Sequence, residues 1–256
     1  MSILAPSKAP TLLMDVDERL SLLATVGAKS PRNVRAVRFT RAFAAQSPEA
    51  FADFLRRVYP ALECIHCGGN WRFGANGAGT PATLRKLGFA VKVVRYARYK
   101  GERVSSTRIR TALAAGDVED ANAMLGRNFA VDGRVVRGKG AGSGLGSPTL
   151  NVEVSLPLRR GVYAVLTPFG PGVANYGVAP TMGNEAWKEP VLEVHVICGR
   201  TLRRRPRTLR TEFLSFLRPE RSFASQEALR RRIAADIDEA LDFHTINGTI
   251  FAHENE

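Results

Sequence analysis

Thr149 and Asn151 stand two residues apart in an extended segment that begins at Pro148. Successive side chains of a strand point to opposite sides, so the Thr149 hydroxyl and the Asn151 amide should lie on the same side. Hydroxyl and amide oxygens suit Mg²⁺, which keeps several water ligands and takes further oxygens from substrate phosphates. Threonine and asparagine near a proline are also common turn residues, so the spacing alone leaves a metal site and a turn as alternatives.

A glycine-rich loop precedes this segment, with five glycines between residues 138 and 146. Glycine lets backbone N–H groups approach phosphate oxygens without side-chain interference, and Lys139 adds positive charge. The run matches neither the P-loop nor the dinucleotide-binding fingerprint, so a flexible hairpin is the alternative. The predicted nucleotide-binding residues of this loop are Gly138, Lys139, Gly140, Gly142, Gly144 and Gly146.

Glu193 and His195 share one face of a segment, residues 191 to 197, in which aliphatic and polar side chains alternate. If this face borders a cleft, the Glu193 carboxylate can accept the proton of an alcohol that attacks a γ-phosphate. If it borders bulk water, Glu193 is an ordinary surface glutamate. The run from Cys64 to Cys67 contains too few ligands for a structural zinc site and is consistent with the end of a buried strand.

The elements that would carry these residues change character along the chain. Helix starts are predicted at Ser47-Pro48 and Thr80-Pro81, a helix end at Gly88, and a strand over residues 89–94. Such alternation is typical of a layered α/β nucleotide-binding domain.

Two short helices should follow Ser106-Thr107, with Asp117 as a cap and Gly126 as the end of the second. Beyond them, short β segments separated by glycine and proline predict a small barrel. These segments are residues 131–137, 162–167, 173–178 and 191–197. Ser225 should cap a closing helix whose apolar stripe is Leu229, Ile233, Ile237 and Leu241. We place the domain boundary so that residues 1–126 and 127–256 form the two domains.

Bulk properties narrow the class of protein. A chain of 256 residues with 45% hydrophobic residues should form two globular domains. It contains no apolar run of the roughly 18 residues that a membrane helix needs, and no signal-peptide pattern at its start. Three cysteines suit a reducing compartment. We therefore expect a cytoplasmic protein without a membrane partner, and nothing in the sequence indicates an oligomeric state.

The formal net charge of +13 favours anionic partners. Residues 198–232 contain 11 arginines against 3 glutamates, which is the main argument for nucleic-acid binding. The sequence has no zinc-finger spacing or aromatic RNA-binding signature, and basic runs are usually solvated surfaces, so nucleic acid is not the expected partner.

Three segments, taken in order, resemble the riboflavin kinase module of bacterial bifunctional riboflavin kinase/FAD synthetases. They are the glycine loop leading to Ser147-Pro148-Thr149-Leu150-Asn151, residues 172–181, and Leu192-Glu193-Val194-His195, and the similarity covers residues 127–242. The resemblance implies a six-stranded barrel with a C-terminal helix, ATP and Mg²⁺ beside Thr149 and Asn151, and Glu193 as catalytic base. The family's usual Pro-Thr-Ala-Asn reads Pro-Thr-Leu-Asn here, an expected aromatic residue is Ser147, and an expected arginine is Ala179.

The first half resembles the FMN adenylyltransferase domain of the same family, which is a Rossmann-like nucleotidyltransferase. The matching motifs are residues 69–74 and 103–110, and the resemblance begins around Pro10. It implies nucleotide and phosphate contacts from Asn70, Arg103, Ser106, Thr107 and Arg110. Independently, Ser106-Thr107 opening a helix beside two arginines is a plausible phosphate site.

The family's His-x-Gly-His signature does not occur among the four histidines, which are His66, His195, His244 and His253. We therefore expect an incomplete adenylyltransferase domain in front of a riboflavin kinase that converts riboflavin and ATP to FMN. One alternative is a complete bifunctional enzyme whose start is mis-assigned. Another is a non-catalytic flavin- or RNA-binding relative.

Overall fold

A computed structural model describes residues 3–4, 7, 9–26, 34–136, 149–177, 190–197 and 204–248. The chain forms two compact units. The N-terminal unit comprises Met1–Pro10 and Val16–Val104, and the barrel unit comprises Thr11–Asp15 and Ser105–Glu256. No helix in the described part of the chain is long and apolar enough to cross a membrane.

The N-terminal unit alternates helices and strands, as the sequence predicts. Its helices are α1 (Val16–Val26), α2 (Arg41–Ala44), α3 (Pro48–Val58) and α4 (Pro81–Lys86), and its strands are β1 (Ile65–Gly68), β2 (Val91–Val94), β3 (Arg98–Tyr99) and β4 (Glu102–Arg103). Strands β1 and β2 are parallel and α4 lies between them in sequence, which makes a β-α-β unit. The short strands β3 and β4 form an antiparallel pair.

Local capping explains where these helices begin. The Ser47 hydroxyl accepts a hydrogen bond from the Ala50 amide at 3.1 Å, directly before Pro48 in the first turn of α3. Thr80 and Thr83 form a reciprocal capping box at the start of α4. Gly88 follows α4 with a φ of +87°, a conformation that glycine adopts without strain. The predicted helix boundaries at these positions are confirmed, and the predicted strand is shorter, beginning at Val91.

The barrel unit begins with α5 (Ser106–Ala115) and α6 (Val118–Leu125) and ends with α7 (Gln226–Ile246). Between them lie β5 (Phe129–Val136), β6 (Thr149–Glu153), β7 (Gly161–Thr167), β8 (Gly170–Gly177), β9 (Val191–Val196) and β10 (Thr208–Pro219). The six strands close in the order β10-β5-β6-β9-β8-β7, with every neighbouring pair antiparallel. The six-stranded barrel with a C-terminal helix is confirmed.

Alternation along the strands separates the barrel interior from its outer face. Alternate residues of β6 and β9 are fully buried, and they include Leu150, Val152, Leu192 and Val194. The opposite, outer face of β7 and β8 packs against α7, where Val162 and Val173 form one apolar cluster with Ala240. The interior positions of β6 and β9 are therefore apolar, and the polar residues of these two strands lie on the outer face.

Strand β10 was not predicted, although it is the longest strand of the barrel. Its buried positions alternate as Leu209, Thr211, Phe213 and Ser215, so two of the four are polar. Polar residues at inward positions weaken the hydrophobic alternation that identifies a strand from sequence.

Helix α7 begins as predicted, because the Ser225 hydroxyl accepts a hydrogen bond from the Ala228 amide at 3.1 Å. Its most buried residues are Asp236, Ala240 and His244, four residues apart. The predicted stripe of Leu229, Ile233, Ile237 and Leu241 lies beside this centre and is half-buried. The prediction missed the centre because two polar residues occupy it: Asp236 pairs with Arg218, and His244 contacts the Gly172 carbonyl oxygen at 3.2 Å.

One side chain of helix α6 makes two hydrogen bonds to the barrel. Asn122 donates to the Phe213 carbonyl oxygen at 2.9 Å, and its own oxygen accepts from the Phe129 amide at 2.7 Å. Gly126 ends the helix with a φ of +68° as predicted, whereas Asp117 stands at the cap position without a capping side-chain bond. Two backbone groups of the barrel thus depend on a residue outside residues 127–256.

We predict that residues 127–256 fold independently, and that a fragment of residues 105–256 is more stable by about 2 kcal/mol or more. The shorter fragment loses the two Asn122 bonds, and each unsatisfied buried polar group costs about 1–3 kcal/mol. It also exposes the barrel surface that Val118 and Ala121 help to cover, both of which are fully buried. Urea unfolding of the two fragments measures the difference. Equal unfolding midpoints would contradict the role of α6, and an unfolded shorter fragment would contradict independent folding.

Candidate active site

Three polar residues face one another across neighbouring strands of the barrel. Asn151 on β6 is directly opposite Glu193 on β9, and Glu193 is directly opposite Asn175 on β8. Residues paired in this way have Cβ atoms about 4.5–5.5 Å apart and share one face of the sheet. We call Asn151, Glu193 and Asn175 the polar row. The fold thus places an amide on each side of the predicted catalytic carboxylate.

The polar row lies on the outer face of the barrel. Its members alternate with interior residues such as Leu150, Leu192 and Ala174, which are buried. Asn151, Glu193 and Asn175 are themselves half-buried. The row is therefore shielded in part from solvent while remaining open to a ligand.

Glu193 is a stronger base than an ordinary glutamate. Burial raises the pKa of its carboxyl group, and the negative charge of Glu220 raises this pKa further. Glu220 follows the end of β10, and its carboxyl group lies over Gly177 of β8. Two carboxylates thus act on the same region of the outer face.

Thr149, the second predicted metal ligand, is directly opposite His195 on β9. His195 is 8% exposed, and its Nδ1 atom is buried without a hydrogen-bond partner among the residues that the structure describes. Burial lowers the pKa of its imidazole, which favours the neutral ring. The side chain beside Thr149 is therefore a buried imidazole whose neutral form is favoured.

Thr149 and Asn151 fit the requirements of a Mg²⁺ site. They lie two residues apart on β6, share the outer face and are both half-buried. Their hydroxyl and amide oxygens are hard ligands, which Mg²⁺ prefers. Elsewhere, the part of the chain that the structure describes contains no group of three or more His, Cys, Asp or Glu residues that could hold a metal ion. Cys64 and Cys67 are free thiols.

The glycine loop joins the end of β5 at Val136 to the start of β6 at Thr149. Its predicted nucleotide-binding residues lie outside the described residues, as do Ser147 and Ala179. Because Val136 pairs with Asn151, strand β5 ends next to the polar row.

The N-terminal unit brings together two of its predicted site residues, Asn70 and Arg103. The Tyr96 hydroxyl donates to the side-chain oxygen Oδ1 of Asn70 at 2.7 Å and accepts from the backbone N–H of Asn70 at 2.8 Å. Arg103 Nη2 donates to the same Asn70 oxygen at 3.3 Å, and its guanidinium stacks over the Tyr96 ring at 3.5 Å from the ring centre. A cavity of about 520 Å³ borders this cluster, lined by Gly69, Val93, Val94, Arg95, Tyr96 and Arg98.

The other three predicted residues, Ser106, Thr107 and Arg110, belong to helix α5 of the barrel unit. Ser106 and Thr107 form its first turn, as predicted. Arg110 Nε donates to the Thr11 carbonyl oxygen at 2.7 Å, and Nη1 donates to that of Ser106 at 3.1 Å. These bonds fix the guanidinium of Arg110 against the helix start.

Sequence reasoning assigned no role to Asn175, Glu220 or Tyr96. Asn175 and Glu220 lie in segments that the family resemblance includes, but their proximity to Glu193 depends on the pairing of β8 with β9 and on the path of the chain after β10. The position of Asn175 in alternation with Ala174 and Tyr176 was the available signal. Tyr96 is 26 residues from Asn70, and no local pattern connects the two.

Family comparisons match both halves of the chain. The riboflavin kinase family model matches residues 125–244, and the FAD synthetase family model matches residues 1–108. The second match begins before residue 10, where the motifs predicted the resemblance to start. Residues 109–124, which include most of α5 and α6, lie between the two matches.

Several bacterial proteins are similar over most of the chain. The bifunctional riboflavin kinase/FMN adenylyltransferase of Escherichia coli K12 is 35% identical over 258 residues, covering 95% of this chain and 79% of the relative. The protein of the same description from Pseudomonas fluorescens is 35% identical, covering 84% of this chain and 71% of the relative.

A solved structure has a similar fold. It is a crystal structure described as a macrolide-efflux protein from Streptococcus pneumoniae, with a TM-score of 0.73 and 24% identity, covering 91% of this chain and 78% of that one. At this identity the likeness concerns the fold alone. The sequence relatives decide the family: the chain belongs to the bifunctional riboflavin kinase/FMN adenylyltransferases.

Proposed function

We propose that the chain is a riboflavin kinase, which transfers the γ-phosphoryl group of ATP to the 5′-hydroxyl of riboflavin and forms FMN. The observation that carries this proposal is the polar row, in which the half-buried carboxylate of Glu193 stands between two amides. The row lies within residues 125–244, the part of the chain that matches the riboflavin kinase family model.

Glu193 acts as the general base in this proposal. The ribityl oxygen forms a bond to the γ-phosphorus, the bond from that phosphorus to the bridging oxygen of ADP breaks, and the hydroxyl proton passes to the Glu193 carboxylate. A free alcohol has a very high pKa, so the proton should move as the new bond forms. The raised pKa of Glu193 supports this role, because a more basic carboxylate accepts a proton more readily.

Asn151 and Thr149 would hold Mg²⁺ on the same face, next to the base. When bound, this ion offsets the negative charge that develops on the phosphate oxygens. The Asn151 amide, opposite Glu193, also keeps the metal site within one strand of the base. The glycine loop with Lys139 would contact the phosphates through backbone N–H groups. Asn175 lies directly opposite Glu193 on the other neighbouring strand.

The N-terminal unit supports a second, nucleotide-binding role. Arg103 stacks on Tyr96 and shares Asn70 with it, beside an open cavity. Asn70 and Arg103 would contact the nucleotide of an FMN adenylyltransferase. The family resemblance gives nucleotide or phosphate contacts also to Ser106, Thr107 and Arg110, which belong to the barrel unit. The adenylyl transfer itself is doubtful, because no His-x-Gly-His signature occurs in these 256 residues.

The proposal includes a cytoplasmic location, riboflavin and ATP as small-molecule partners, and a functional division between residues 126 and 127. The start of the riboflavin kinase match at residue 125 supports this division, although α5 and α6 are part of the compact barrel unit.

We predict that the purified 256-residue chain forms FMN and no FAD. The assay incubates the protein with riboflavin, ATP and Mg²⁺ and separates riboflavin, FMN and FAD by chromatography. FAD formed from FMN and ATP would show that the chain is bifunctional. Riboflavin binding without any FMN would favour the non-catalytic alternative and contradict the proposed kinase.

A further inference from the structure

Glu220 occupies space that only a glycine in β8 leaves open. Its carboxyl carbon lies 2.6 Å from the point where a Cβ atom of residue 177 would stand. Real Cβ atoms do not approach other heavy atoms so closely, so any other residue at position 177 would displace the carboxylate. The absence of a side chain at Gly177 thus leaves room for the Glu220 carboxylate on the barrel surface.

The space above Gly177 lies on the same face of the barrel as the polar row. Gly177 is two residues beyond Asn175 on β8, so the missing side chain would point in the same direction. Asn175 is directly opposite Glu193, which makes Gly177 a diagonal neighbour of Glu193 at about 7–8 Å. The Glu220 carboxyl group thus lies over a diagonal neighbour of Glu193, and its negative charge raises the pKa of Glu193.

Arg218, two positions before Glu220, is engaged elsewhere. Its Nε and Nη2 atoms donate to Asp236 at 2.6 and 2.5 Å, and its Nη1 donates to the Pro219 carbonyl oxygen at 2.9 Å. Glu220 is therefore directed towards the polar row rather than into the ion pair that anchors α7. Two like charges held near each other on a half-buried face are unfavourable unless a ligand supplies hydrogen-bond donors.

We propose that Glu220 binds the secondary hydroxyl groups of the ribityl chain and selects substrates by that chain. The inference rests on the proposed riboflavin kinase function. An ionised carboxylate is an acceptor only, and hydroxyl groups are the donors that a polyol chain offers. When the primary hydroxyl group of riboflavin lies at Glu193, its secondary hydroxyl groups extend away from Glu193 along the ribityl chain over a few ångströms. Glu220 can then serve as a second acceptor, because it lies over the diagonal neighbour of Glu193 on β8.

The test compares two flavins that differ only in this chain. Riboflavin carries the ribityl group, whereas lumiflavin has a methyl group in its place. Binding of each is followed by flavin fluorescence in the presence of ADP and Mg²⁺, for the native protein, Glu220→Gln and Glu220→Ala. We expect the Kd of riboflavin to rise by about tenfold, since a hydrogen bond to a charged group contributes about 1.5–3 kcal/mol. The Kd of lumiflavin should remain unchanged.

Two further variants control the interpretation. Gly177→Ala keeps the charge of Glu220 but displaces its carboxylate, so it should reproduce the selective loss of riboflavin affinity. Glu153→Gln changes an exposed carboxylate on β6, 63% exposed and paired with Arg134, and should alter neither Kd. Circular dichroism establishes that each variant is folded, and Glu220→Gln decides the result if Glu220→Ala unfolds.

Other outcomes overturn the proposal. Equal losses for riboflavin and lumiflavin would mean that Glu220 supports the site as a whole. An unchanged riboflavin Kd with a higher Mg²⁺ requirement would assign Glu220 to the metal instead. If the native protein binds riboflavin but forms no FMN, the kinase proposal fails while the binding comparison still decides the role of Glu220. If it does not bind riboflavin, both fail.

Discussion

Replacing Glu193 with glutamine should lower kcat for FMN formation by about 10²–10⁴-fold, the usual contribution of a positioned acid–base group. Glutamine has nearly the same shape but cannot accept a proton at this position. Because the carboxylate acts in the transition state, riboflavin and ATP should still bind. Steady-state kinetics with chromatographic detection of FMN measures the change. Near-normal turnover would contradict the role of Glu193 as the base, even if the protein is a kinase.

The dependence of activity on pH tests the role of Glu193 in a second way. The carboxylate must be deprotonated to accept the proton, and both burial and Glu220 raise its pKa. Activity should therefore fall on the acidic side at a higher pH than an ordinary glutamate would give, and Glu193→Gln should lose this dependence.

Asn151→Ala separates the role of the metal from that of the base, because added Mg²⁺ should restore part of the activity of Asn151→Ala but none of the activity of Glu193→Gln. Lost binding together with lost folding in Glu193→Gln would indicate a structural carboxylate.

Replacing Asp236 with alanine should lower the free energy of unfolding by about 3–5 kcal/mol, the usual cost of removing one partner of a buried ion pair. The Asp236 side chain is 5% exposed and accepts from Arg218 of β10, which is 11% exposed. It also accepts from Arg232 Nε of α7 at 2.9 Å. Its loss would leave the buried Arg218 guanidinium without its carboxylate. Urea unfolding, followed by circular dichroism, measures the loss.

Glu227→Ala is the matched control on the same helix. Glu227 pairs with Arg231, but both side chains are more than 70% exposed. Exposed pairs contribute at most about 1 kcal/mol, so this variant should unfold at nearly the native urea concentration. If Asp236→Ala is no less stable than Glu227→Ala, the attachment of α7 to the barrel depends on apolar packing at Ala240 rather than on the ion pair.

Local signals predicted the starts of α3, α4 and α7. The hydroxyl groups of Ser47, Thr80 and Ser225 each accept a hydrogen bond from the backbone N–H three residues later. The signal for the start of each helix therefore lies within one turn. The buried centre of α7 could not be found in this way. Asp236 is paired in part with Arg218 of β10, and His244 contacts Gly172 of β8, and both partners are remote in sequence.

The candidate site shows the same division between local and non-local information. Period-two alternation was sufficient to place Thr149 with Asn151, and Glu193 with His195, on common faces. That Asn151 stands opposite Glu193 follows from the pairing of β6 with β9, which are separated by two other strands in sequence. The position of Glu220 depends on a single absent side chain, which no periodic pattern encodes.

That absent side chain also constrains how the protein can change during evolution. Position 177 can gain a methyl group only if position 220 gives up its carboxylate or moves it. Relatives that place a larger residue at the position of Gly177 should therefore carry a shorter or different residue at that of Glu220. The residues at these two positions should therefore co-vary among relatives, although 43 residues separate them along the chain.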